Sequence, residues 1–169
     1  TTPLPGSLDS TAALIEAAGV RCMSVPADIL DHPSLVSAVD RVIAEWGQID
    51  VLINNARYIG PGHMDLILDT PIRVLRDHLE GNALAPLVLI KTVVPHMVKR
   101  KQGTVINITS TVAYEDPSEP AGKGGWGLGY GFSKAALHRI AGILAVELRE
   151  TGVRAFNIQP GYVATERIA

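Results

Sequence analysis

Apolar residues recur along this chain at helical spacing, and the helical stretches alternate with short apolar runs that carry no polar alternation. Leu8, Ala12, Ile15 and Ala18 fall on one side of a helix that Gly19 stops. Val20–Val25 then reads as a strand, which Pro26-Ala27-Asp28 ends at a carboxylate. Pro33 suits a first helical turn, and Leu35, Val39, Val42, Ile43 and Trp46 continue an amphipathic helix to Gly47. Ile49–Ile53 predicts a short strand buried on both faces of a parallel sheet. From Thr70 to Arg100 the pattern predicts one long or kinked helix, with Gly81-Asn82, Pro86 and Pro95 as its irregular points. Thr104–Thr109 is the next strand, a helix carrying Tyr130 runs through Leu148 to a stop at Gly152, and Val153–Ile158 is the last strand.

Strands alternating with helices, without an internal repeat, predict an α/β domain. Right-handed crossovers put the carboxyl ends of all parallel strands on one edge, where open α/β sheets bind ligands. Asp28, Asn54-Asn55, Ser110 and Pro160-Gly161 should therefore share that edge.

Composition narrows the class. With 169 residues, 47% hydrophobic and 19% charged, the chain reads as a single globular domain. A net charge of -2 and a pI near 6.2 leave no basic footprint for nucleic acid. The single Cys22 excludes an internal disulfide, reads as a small buried hydrophobe and fits a reducing, cytoplasmic setting. Ala83–Val94, the most apolar run, is broken by Pro86 and Lys91 and is shorter than the ~20 residues of a spanning helix, so no membrane segment is expected. His32, His63, His78, His96 and His138 form no pair with metal-ligand spacing, which predicts solvated or locally bonded histidines and no metal site.

Candidate chemistry gathers at four places. Tyr130 and Lys134 lie four apart and share a face if helical, so an ammonium sits near a phenol whose ordinary pKa is ~10. A nearby cation favours an ionised phenol, the arrangement of a candidate acid/base. Asn54-Asn55 directly after a buried strand must find hydrogen-bond partners, and Ser110 is delivered to the end of the Thr104–Thr109 strand. Residues 111–129 form a long loop with acids, prolines and then glycines. Within it Gly122-Lys123-Gly124-Gly125-Trp126-Gly127 matches a dinucleotide-binding pattern formally. It does not follow a strand, so it reads as a flexible wall of the substrate pocket, with Trp126 an apolar contact.

Asn54-Asn55-Ala56, the serine strand Val105–Ser110, Tyr130–Lys134 and Pro160-Gly161, in that order, resemble the short-chain dehydrogenase/reductase family. The resemblance implies a Rossmann-like doubly wound parallel sheet whose first strand with its Gly-rich turn, and whose C-terminal part, are missing from this chain. It implies an NAD- or NADP-dependent oxidoreductase acting on a small alcohol or ketone, for which apolar residues near the long loop suggest a lipophilic substrate. By that likeness Tyr130 transfers the proton, Lys134 holds the ribose and assists the phenol, Ser110 orients the substrate oxygen, and Asn82 positions a water relay. Asp28 and Ile29 would lie near the adenine, Asn55 and Ala56 near a cofactor ribose, and Val163 and Thr165 near the nicotinamide amide. The likeness also implies a homo-oligomer, joined through the Thr70–Arg100 helix and the helix after Tyr130. Three features depart from the family pattern: Arg57 replaces a usual glycine, nineteen residues separate Ser110 from Tyr130, and no Gly-rich turn precedes the first helix. The competing expectation is a non-catalytic fragment that acts only as a structural or interaction module.

Overall fold

The computed structural model describes residues 7–163. Helix α1 (Leu8–Ala17) begins in a reciprocal capping box, the Ser7 hydroxyl accepting from the Ser10 amide and the Ser10 hydroxyl from the Ser7 amide. None of its residues is buried, so the predicted apolar side of α1 finds no core among the described residues. Residues 20–28 are the first clear correction: they form no strand. Strand character requires a ladder partner, and no described strand lies beside them.

Helix α2 (His32–Trp46) has Pro33 in its first turn, buries Leu35 and Val39, and ends on Gly47 in the left-handed region at φ 78. Strand β1 (Val51–Asn54) follows, and then α3 (Ile72–Leu79), a π-helical turn (Glu80–Leu84) and α4 (Ala85–Arg100). The irregularity expected at Gly81-Asn82 is thus a π turn, and helical backbone runs unbroken through Pro95. This run from Ile72 to Arg100 is long and apolar enough to span a bilayer, but half of its most apolar stretch is buried within the fold. Strand β2 (Gly103–Ile108) leads through a 3-10 turn (Thr111–Ala113) and the long loop to α5 (Leu128–Glu147), and β3 (Val153–Ile158) closes the described sheet.

The sheet is parallel, in the order β1-β2-β3, with Val51 opposite Thr104 and Ile106 opposite Phe156. Because strand order advances in one direction, right-handed crossovers put α4 and α5 on the same face. Their side chains Ile90, Val93, Val94, Met97, Ile140 and Leu144 pack there with Val39 of α2 against Val105 and Val153. Burying each large side chain of this set contributes about 1.5–3 kcal/mol. Gly103 is required at the start of β2, since any side chain there would collide with Met97.

The opposite face is different. Val51, Ile53, Phe156 and Ile158 all point to it and are exposed, Ile53 at 56%. The expectation that the first asparagine-bearing strand is buried on both faces is therefore corrected: among the described residues, helices cover one face only. The apolar surplus expected on α4 and α5 also divides. Ile90 and Val94 belong to the core, whereas Leu84, Ile143 and Val146 remain exposed.

Candidate active site

Each of the three strands carries an asparagine at the same level near its carboxyl end, because Asn54 pairs in register with Asn107 and Asn107 with Asn157. Asn54 Nδ2 donates to Asn107 Oδ1 at 2.8 Å, and Asn157 Nδ2 donates to the His138 carbonyl of α5 at 2.8 Å. This row, buried at Asn54 and Asn107, fixes the strand ends relative to α5 and shows where the Asn54 amide at the end of β1 finds its partner.

Beyond the row opens a cleft of about 680 Å³. Asn55, Ala56 and Arg57 line it after β1, Ser110 after β2, Tyr130 and Lys134 from α5, and Pro160, Gly161 and Val163 after β3. One helical turn separates Tyr130 from Lys134, which places both on the cleft side of α5. Lys134 Nζ donates to the Ile108 carbonyl at 2.7 Å, tying the helix to the end of β2. Burial, and secondly the Arg57 cation, bring the Lys134 ammonium down from 10.5 to about 8.

Ser133, between the two, is wholly buried and joins a different network. Its hydroxyl donates to the Tyr130 carbonyl at 3.1 Å and accepts from Asn82 Nδ2 at 3.0 Å. Asn82 Oδ1 accepts the Tyr58 amide at 2.6 Å, and its Nδ2 also reaches the Tyr58 carbonyl at 3.4 Å. The π turn aims Asn82 inward, where its amide fastens the loop after β1 to α5. Its side chain is engaged by Tyr58 and Ser133 and does not line the cleft.

Two histidines join the site that spacing alone did not mark. His63 packs against the Tyr130 ring at 4.8 Å between centroids and stacks on His78 at 6.0 Å. Burial, then Arg57 and His78, lower His63 to about 4, so it is neutral near pH 7. His78 is fully buried, with Nε2 2.9 Å from the Pro61 carbonyl. Gly129 permits this contact, because a Cβ there would lie 2.7 Å from the Gly62 carbonyl and 2.8 Å from the His78 ring. No group of three or more metal-ligating side chains occurs among the described residues.

Other expected positions fall elsewhere. Asp28 and Ile29 are outside the cleft: the Asp28 carboxylate accepts the Leu30 amide at 2.8 Å in a local turn, while Ile29 lies over Gly81. Thr165 lies outside the described residues. Trp126 does not face Ser110 and Tyr130; it lines a separate groove of about 420 Å³ with Tyr114 and Phe132. The formal glycine pattern serves close packing instead: Gly125 abuts the Glu119 carbonyl, and Gly127 caps α5 against the His63–Asp65 backbone.

The sequence profile of the short chain dehydrogenase family matches residues 4–169. The chain belongs to that family. This short-chain dehydrogenase is 36% identical over 149 residues to the oxidoreductase UcpA of Salmonella typhimurium, covering 87% of this chain and 52% of that protein. It is 34% identical over 155 residues to a short chain dehydrogenase of Pseudocercospora fijiensis, covering 90% of this chain and 47% of the relative. The chain thus spans about half the length of these curated relatives. A solved metagenomic short-chain oxidoreductase in complex with NADP superposes with a TM-score of 0.79 at 29% identity, covering 92% of this chain and 66% of that one. L-sorbose reductase from Gluconobacter frateurii, complexed with NADPH and L-sorbose, gives 0.82 at 27% identity, covering 95% and 57%. The fold is accordingly the Rossmann-like fold of short-chain dehydrogenases.

Proposed function

We propose that the protein interconverts an alcohol and a ketone using NAD or NADP, with Tyr130 moving the proton. One observation carries this reading: Ser110, Tyr130 and Lys134 line a single cleft at the carboxyl edge of the sheet. The cleft's chemistry suits the nicotinamide end of such a cofactor. Among the described residues no Asp or Glu lines it to repel phosphate, Lys134 supplies a cation, and the space beside Gly161 would admit a Cβ without contact. The cofactor, when bound, supplies or accepts the hydride.

Lys134, anchored on the Ile108 carbonyl, offers its ammonium toward the cofactor ribose and toward Tyr130. Ser110 orients the substrate oxygen from the end of β2. Tyr130 gives its phenolic proton to the carbonyl oxygen as the alcohol forms, or takes it back in the reverse direction. Arg57 and His63 hold the Tyr130 ring from the cleft and from the loop that follows β1. Asp28 and Ile29 are assigned to the adenine end on family likeness alone.

The test is NAD(P)H-dependent reduction of a ketone panel by the full-length protein, with calorimetric titration of NADPH and NADH. Absence of both turnover and cofactor binding would sink the oxidoreductase reading and leave a structural module. Self-association belongs to the same reading, supported by the exposed Leu84 at the end of the π turn and Ile143 and Val146 on α5. Light scattering should find an oligomer that Ile143→Lys dissociates; a monomer at every workable concentration would overturn it.

A further inference from the structure

Resting on that reading, we infer that Arg57 is a specificity-determining residue and that the substrate carries a carboxylate beside the reacting carbon, as an oxo acid or the matching hydroxy acid. The guanidinium carbon stands 5.3 Å from the centroid of the Tyr130 ring, on the wall of the cleft that also holds Ser110. Among the described residues no carboxylate lies within ion-pair distance of it, and none lines the cleft. A cation that meets no carboxylate among the described residues and faces the Tyr130 phenol is complementary to an anion that arrives with the substrate.

The mount is stiff. Tyr58, the next residue, has its amide and its carbonyl both engaged by Asn82, itself 2% exposed inside the π turn. The stem of Arg57 therefore projects from a loop whose path is set by long-range hydrogen bonds, as a selective contact requires. A planar fork of donors suits a carboxylate taken in two parallel bonds, which a lysine at this position would not reproduce. Arg57 also opposes the charged forms of Lys134 and His63, so a carboxylate landing beside it relieves like-charge crowding.

The reaction balances without any further reagent. The oxo carbon accepts a hydride from the reduced nicotinamide, the Tyr130 phenol supplies one proton to the oxygen, and the carboxylate leaves unchanged.

The test measures kcat/KM of the full-length protein for 2-oxo and 3-oxo acids of graded chain length and for their methyl esters, with Arg57→Leu and Arg57→Lys alongside. The wild type should prefer an acid over its ester. Arg57→Leu should lower that preference by about ten- to a hundredfold, with the loss mainly in KM, and Arg57→Lys should restore it in part. Equal use of acid and ester, or the same ratio in wild type and Arg57→Leu, overturns the inference. An Arg57→Leu protein with raised KM for NADPH and an unchanged ratio assigns the guanidinium to the cofactor and overturns it too. If no ketone of any kind is reduced, the oxidoreductase reading has failed. The anion site is then decided by calorimetric titration of oxamate, which must bind the wild type and not Arg57→Leu.

Discussion

At the α5 end of the cleft, Lys134 bonds to a carbonyl 26 positions away and Asn82 to a hydroxyl 51 positions away. Around Asp28 the hydrogen bonds reach only two to six positions, to Leu30, Asp31 and Ser34. The first set exists only when the whole fold is in place, since α4, α5 and the strand ends must meet before any of those bonds can form. The second is a turn that a short peptide can make. The two regions are thus held by different physics: the Tyr130–Lys134 side of the cleft by the tertiary core, the Asp28 turn by local backbone geometry.

The contrast can be broken most sharply at Tyr130. Phenylalanine keeps the ring that His63 and Arg57 contact and removes the proton, so turnover of the full-length protein should fall ~10²–10⁴-fold while NAD(P)H affinity is kept. Unchanged turnover in steady-state assays would remove Tyr130 from the chemistry. Next in size is Ser110→Ala, expected to cost roughly 10–10³-fold in kcat because a strand end fixes the hydroxyl. Ser118→Ala, in the exposed loop, should leave kcat where it was, and the reverse ranking would move the substrate site into that loop.

Stability tests the same comparison without any substrate. Asn82→Ala strands the buried Ser133 hydroxyl and the Tyr58 amide, and denaturant titration should register a loss of about 2–4 kcal/mol. Asp28→Asn, measured alongside, should cost under about 0.5 kcal/mol, as exposed changes usually do. Equal costs would erase the distinction between the two ends. The smallest effects concern pH. His63 is held at about 4 when folded against 6.5 otherwise, so between those values only the unfolded chain binds its proton, and acidification subtracts stability. Lys134 titrates near 8 instead of 10.5, so raising the pH through that window adds stability. A His63→Gln variant whose melting point falls with acid as steeply as the wild type's would contradict the first assignment.

Legibility in the sequence follows the same division between local and assembled structure. Val153–Ile158 and α2 were readable because period, β-branching, Pro33 and Gly47 act within one element. Residues 20–25 have strand composition too, but a strand is a paired object, and composition does not say whether a neighbour is present. The meeting of Tyr130, Lys134 and Ser110 at one cleft is legible in the sequence because four-residue spacing and strand-end position are local signals that survive folding. The contact of His63 with His78 is not legible, since it arises where the loop after β1 meets α3 and the start of α5, at Gly62 and Gly129, and nothing in their spacing announces it. The asparagine row did leave a trace. Asn54, Asn107 and Asn157 each interrupt an apolar strand near its end, and aligning the strands at those residues would have given the register.

The π turn at Glu80–Leu84 is also a matter of phase. Such a turn holds one residue more than an α-helical turn, and one residue is worth about 100° of rotation along a helix. Deleting a single residue there would let α3 and α4 merge into one α-helical run whose backbone ladder is interrupted only at Pro86 and Pro95. It would also swing Asn82 away from Tyr58, or rotate the face of α4 that carries Ile90 and Met97 out of the core. The more regular helix would be the worse protein. A one-residue gap in this stretch of a related sequence therefore signals a different loop after β1, and with it a different wall for the cleft that Asn55, Ala56 and Arg57 line.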